Sequence, residues 1–62
     1  MCEIHAFVIA DDRKEKIFES VNIVKTEGDQ VELINIYGEQ KTITAKFKGY
    51  DNSNRMILFE PV

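Results

Sequence analysis

Apolar and polar residues alternate along most of the chain with a period of two, and this pattern predicts β-strands. The alternation is clearest in QKTITAKFKGY, where Ile43, Ala45 and Phe47 share one parity and polar residues take the other. The first apolar segment, IHAFVIA over 4–10, is rich in β-branched and aromatic residues at both parities, which is typical of a strand covered on both faces. No segment shows a sustained helical period, so the sequence predicts an all-β protein.

Short turn-forming segments separate the predicted strands. They fall at DDRK (11–14), EGD (27–29), YGE (37–39) and DNSN (51–54). We expect Gly28 and Gly38 to have a positive φ in these turns. The predicted strands cover 4–10, 15–27, 30–36, 40–50 and 55–60. A shift of the apolar phase near Glu19-Ser20 indicates a bulge, a bend or two short strands within the second of them.

These elements predict a small β-barrel. Short turns make consecutive strands antiparallel neighbours, and a single sheet in so small a protein must curl to enclose a core. We therefore expect one domain over 1–62, a five- to six-stranded antiparallel barrel that is partly open. Its predicted core consists of Val8, Val31, Leu33, Ile43, Ala45, Phe47 and Leu58, together with Ile23 or Val24.

Length, cysteine content and charge further restrict the range of possible functions. A chain of 62 residues buries only about 60% of its unfolded surface, so its stability requires good packing, a metal or a partner subunit. Its single cysteine cannot form a disulfide within the chain. The net charge of −3 disfavours nucleic acid as a partner. The first segment of the chain has neither a basic start nor a long apolar run. We therefore expect a cytoplasmic protein that has no membrane segment.

Several segments together resemble a known family. The chain begins with Met1-Cys2 directly before the first strand, carries EGDQVELINIYGEQKTI over 27–43, and has RMILFE over 55–60. In these features and in its length it resembles the CooT family of small nickel-binding accessory proteins, which take part in the maturation of carbon monoxide dehydrogenase. The resemblance implies a barrel similar to the Sm and SH3 folds, a homodimer, Ni(II) bound through Cys2, and carbon monoxide dehydrogenase as the client enzyme.

The candidate metal ligands lie in the first five residues. Cys2 is the only cysteine and His5 the only histidine, and a thiolate suits late first-row metals. If Met1 is retained, its amine can bind Ni(II) together with the Cys2 amide nitrogen and thiolate. If Met1 is removed, the Cys2 amine and thiolate form a single chelate ring. A twofold axis near Cys2 would add a second thiolate.

His5 is the weaker candidate ligand. Strand periodicity points Cys2 and His5 to opposite faces, so a site made by both residues of one chain requires a bulge or an irregular start. The same geometry argues against an enzyme, because His5 is the only candidate base for a nucleophilic Cys2.

Two alternatives to a nickel metallochaperone remain open, and neither of them involves a metal. One is a protein-interaction module that uses an exposed sheet edge. The other is a nucleic-acid-binding barrel, in which aromatic residues stack on bases and lysines contact phosphates. The residues concerned are Tyr37, Phe47, Tyr50, Lys46 and Lys48.

Overall fold

A computed structural model describes residues 3–62, which form six β-strands. The strands are β1 (His5–Ala10), β2 (Arg13–Phe18), β3 (Val21–Glu27), β4 (Gln30–Asn35), β5 (Gln40–Asp51) and β6 (Met56–Pro61). The described residues include no helix that is long and apolar enough to cross a membrane. The all-β class is confirmed, and the phase shift at Glu19-Ser20 marks the break between two short strands, β2 and β3.

All six strands belong to one sheet, in the order β2-β1-β6-β5-β4-β3. Four of the pairings are antiparallel, as predicted, and β1 with β6 is parallel. The parallel pair joins the two ends of the sequence, and local turn patterns carry no information about it. The edge strands β2 and β3 follow one another in the chain but do not pair, so the sheet is not closed into a barrel. This architecture fits the predicted partly open barrel.

The turns explain how strands in so small a sheet reverse direction. Gly28 and Gly38 have φ values of 59° and 84°, which confirms the prediction for both. Asp11 and Asp12 also have positive φ, at 52° and 64°, and together they form the two-residue turn between β1 and β2. Two consecutive positive φ values match the twist of a tight hairpin, and aspartate tolerates them better than most residues.

The core lies on one face of the curled sheet, which we call the inner face. Its buried apolar residues are Ala6, Val21, Val31, Leu33, Ala45 and Phe59. Of the predicted core, Val31, Leu33 and Ala45 are buried in it, and Val8, Ile43 and Val24 pack against it partly buried. Burial of these side chains is the main stabilising contribution that such a small sheet can make.

Two residues of the predicted core lie elsewhere. Phe47 is 57% exposed, so its assignment to the buried core was wrong. Its parity was right, because Phe47 is opposite the buried Phe59 and their rings meet edge to face, with centroids 6.1 Å apart. The ring of Phe47 lies at a part of the inner face that the other strands leave exposed. Leu58 was also misassigned, because it follows the parity opposite to Phe59 and is only half-buried, on the outer face.

Candidate metal centre

Met1 and Cys2, the predicted donors at the start of the chain, lie outside the described residues. The backbone that follows them is held from two sides. The carbonyl oxygen of Ile4 accepts a hydrogen bond from the Val21 N–H over 2.7 Å, and the His5 N–H donates to the Arg55 carbonyl oxygen over 3.1 Å. The segment directly after Cys2 is therefore attached both to the start of β3 and to the turn that precedes β6.

His5, the third predicted ligand, has a structural partner. Its Nδ1 atom accepts a hydrogen bond from the backbone N–H of Ser20 over 3.1 Å. A backbone N–H can only donate, so Nδ1 uses its lone pair in this bond, and the proton of the neutral ring is on Nε2. Binding of a metal through Nδ1 would require this bond to break. The described geometry thus gives His5 a role in holding the chain.

Ser20 forms the corner at which the chain passes from β2 to β3. It is 5% exposed and has a φ of 52°, a left-handed conformation that is strained for a residue with a side chain. Its N–H bonds to His5, and its carbonyl oxygen accepts from the Ile36 N–H over 3.0 Å. These bonds offset the strain of the corner. Sequence reasoning located the corner through the phase shift, but not the histidine fifteen residues before it.

A shallow cleft of about 350 Å³ opens beside this corner, and Glu3, Glu19 and Glu39 contribute to its walls. The buried Asn35 donates from Nδ2 to the Glu39 carboxylate over 2.7 Å, which fixes the position of Glu39. Within residues 3–62, however, the structure brings together no group of three or more His, Cys, Asp or Glu side chains that could hold a metal ion. The carboxylates of the cleft do not form a preassembled metal site.

The turn between β5 and β6 supports the same region through Arg55, whose carbonyl oxygen holds His5. Asp51 organises this turn by accepting hydrogen bonds from the side chain of Asn54, over 2.8 Å, and from its backbone N–H, over 3.2 Å. These bonds favour the charged carboxylate, and the side-chain bond from Asn54 is the largest cause that lowers the pKa of Asp51 below its usual value.

Comparison with known proteins identifies the family. The sequence profile of the family described as CO dehydrogenase accessory protein CooT matches residues 1–60. The chain belongs to the CooT family. The crystal structure of a candidate CooT from Carboxydothermus hydrogenoformans is similar to this fold, with a TM-score of 0.89, 33% sequence identity and coverage of 98% of both chains. No curated protein matches.

Membership of the CooT family makes this chain an accessory protein of carbon monoxide dehydrogenase. The matched region begins at residue 1, so it includes Met1 and Cys2 together with the corner formed by His5 and Ser20. The CooT resemblance noted in the sequence is therefore confirmed for the family and for the fold.

Proposed function

We propose that this CooT family member is a cytoplasmic metallochaperone that binds Ni(II) through Cys2 and aids its insertion into carbon monoxide dehydrogenase. The observation that carries the proposal is the use of His5 Nδ1 by Ser20. The chain has one cysteine and one histidine. With the histidine committed to the fold, Cys2 is its only strong soft donor for a late first-row metal.

The remaining donors come from the start of the chain and from a second copy. In the proposed site each chain contributes the Cys2 thiolate and one nitrogen from its start, which is the Met1 amine or the Cys2 backbone nitrogen. Square-planar Ni(II) takes about four nitrogen and sulfur donors, and two chains meeting at a twofold axis supply them without any further residue type. We therefore propose a homodimer with one Ni(II) between the two Cys2 residues.

The anchored backbone after Cys2 supports this arrangement. Ile4 and His5 are tied to Val21 and Arg55 by backbone hydrogen bonds, so the attachment point of the ligand segment is fixed. A fixed attachment point reduces the entropy that two such segments lose when they converge on one ion.

The test is a calorimetric nickel titration of the purified protein, combined with analytical ultracentrifugation. The proposal predicts one Ni(II) per two chains, a sedimenting dimer, and loss of the tight site in Cys2→Ala. Affinity should fall as the pH is lowered, because protons then compete for the thiolate. Nickel binding of undiminished affinity in Cys2→Ala would refute the proposed site, and a purely monomeric nickel complex would refute the shared one.

A further inference from the structure

The outer face of the sheet carries a partly exposed apolar row that lies outside the core. Phe7 on β1 lies beside Leu58 on β6, and Leu58 lies opposite Gly49 on β5. Directly paired residues share a face, and this one is opposite to the face of the fully buried Ala6 and Phe59. Phe7 and Leu58 are only half-buried, as is the next outward residue, Ile9. The row is therefore accessible to a partner.

Gly49 leaves an open space at the end of this row. A Cβ atom placed on Gly49 would have no heavy atom within 4 Å, and Gly49 is not among the glycines with positive φ. Neither its own conformation nor a close neighbour requires glycine at this position. The missing side chain instead leaves the outer surface next to Leu58 uncovered, where a side chain of another molecule can lie against it.

Lysines flank the row on both sides. On β2, Lys16 lies opposite Phe7 and Lys14 opposite Ile9. On β5, Lys46 is opposite Glu60, and Lys48 approaches the same carboxylate to 3.5 Å. All four lysines are exposed, and the exposed ion pairs that Lys16 and Lys48 make contribute little to stability. Half of the eight basic residues of an acidic chain thus border one apolar strip.

We propose that this lysine-rimmed face, formed by Phe7, Ile9, Leu58 and Gly49 with Lys14, Lys16, Lys46 and Lys48, docks an acidic segment of a partner protein. The apolar side chains of that segment would fill the strip and the space at Gly49, and its carboxylates would pair with the lysines. Complementary charge speeds encounter and selects the partner, while the desolvated apolar centre contributes most of the affinity. This docking is distinct from nickel binding and does not depend on it.

Charge argues against a second copy as the occupant. A twofold interface places the same patch of each copy against the other. The four lysines of this face outnumber the carboxylates of Glu19 and Glu60 that pair with them, so a second copy would double the excess positive charge. Geometry argues against nucleic acid. Of the exposed aromatic rings that could stack on bases, Phe47 and Tyr50 pair with Phe59 and Ile57 and share the inner face, and Tyr37 lies in the turn between β4 and β5. Stacking and phosphate contacts would then fall on opposite faces of β5.

The test uses the full chain, labelled with ¹⁵N, and a short synthetic peptide in which Glu and Leu alternate. We expect the amide resonances of Phe7, Leu58 and Gly49 to shift on addition of this peptide, and not with a Lys-Leu peptide. Gly49→Tyr fills the open space and should weaken binding about tenfold or more, while Gly49→Ala, which adds only a methyl group, should weaken it far less. Lys46→Glu should weaken binding similarly, and Lys25→Glu, an equal charge change on β3, should not.

The controls separate the alternatives. Cys2→Ala should retain peptide binding, which distinguishes this inference from the nickel site. Circular dichroism checks that Gly49→Tyr is folded, and Lys46→Glu tests the face independently if it is not. Peptide-induced shifts elsewhere, no effect of either substitution, or preferential binding of a single-stranded oligonucleotide to the same face would overturn the inference. Conversion of a dimer to a monomer by Gly49→Tyr would instead assign the face to a second copy and would also overturn it.

Discussion

The backbone N–H of Ser20 donates a hydrogen bond to Nδ1 of His5 across 3.1 Å, between residues fifteen positions apart in the chain. This bond joins the first residue of β1 to the corner between β2 and β3, where Ser20 is buried and strained. His5 lies three residues after Cys2 in the chain. The histidine therefore contributes to the fold close in sequence to the proposed metal ligand. The only imidazole of the protein serves as a hydrogen-bond acceptor for the backbone.

Replacement of His5 should therefore be detected in stability. His5→Ala leaves the Ser20 N–H without its acceptor, and an unsatisfied, largely buried donor costs about 1–3 kcal/mol. Thermal unfolding followed by circular dichroism measures the loss. Ser20→Gly is the control, because it keeps the donor N–H and fits the positive φ, and it should be much milder. An unchanged melting temperature in His5→Ala would show that the bond contributes nothing to the folded state.

The two phenylalanines in edge-to-face contact should differ strongly in their contribution to stability. Phe59 is fully buried, so Phe59→Ala should destabilise the protein by about 3–5 kcal/mol, as for other buried aromatic residues. Phe47 is 57% exposed, and Phe47→Ala should cost about 0.5–1.5 kcal/mol, mainly the edge-to-face contact with Phe59. Urea denaturation of both variants provides the comparison. Equal losses would mean that the ring of Phe47 is buried in solution.

The loss of stability when a glycine is replaced by alanine should depend on the backbone conformation of that glycine. Gly38 has a φ of 84°, so an alanine there should cost about 1–2 kcal/mol. Gly49 lacks a positive φ and has open space around its Cα, so Gly49→Ala should be neutral or slightly stabilising in a strand. Chemical denaturation of the two alanine variants checks this order, and the reverse order would contradict the assigned turn.

The carboxylate of Asp51 should titrate below the usual range. Hydrogen bonds from Asn54 favour its charged form and lower the pKa of Asp51. A group whose pKa is lower in the folded state stabilises the protein above its unfolded pKa, and this contribution disappears as the pH falls through the folded value. NMR titration of the carboxyl carbon should show Asn54→Ala raising the pKa towards normal. Asn52→Ala, which removes no partner of Asp51, should leave the pKa in place.

Local pattern predicted most of the strands and both glycine turns, because side-chain alternation and positive φ are encoded within a few residues. It also predicted the parity of Phe47, but not its exposure, since burial depends on what covers that part of the sheet. The parallel pairing of β1 with β6 and the bond from Ser20 to His5 join distant segments. No local pattern specifies such pairs, so the sequence made His5 a weaker candidate ligand by strand periodicity alone and did not show that its ring has a backbone partner.

The most direct test of the nickel proposal is the ultraviolet absorption of the apo-protein during titration with Ni(II), repeated on Cys2→Ala and His5→Ala. We expect a thiolate-to-nickel charge-transfer band in the parent, no band in Cys2→Ala, and a retained band in His5→Ala. His5→Ala should also bind the same number of nickel ions per chain at saturation, because in the parent protein His5 supports the fold and does not bind the ion. A band that persists in Cys2→Ala would contradict the account, and complete loss of the band in a folded His5→Ala would make His5 a ligand.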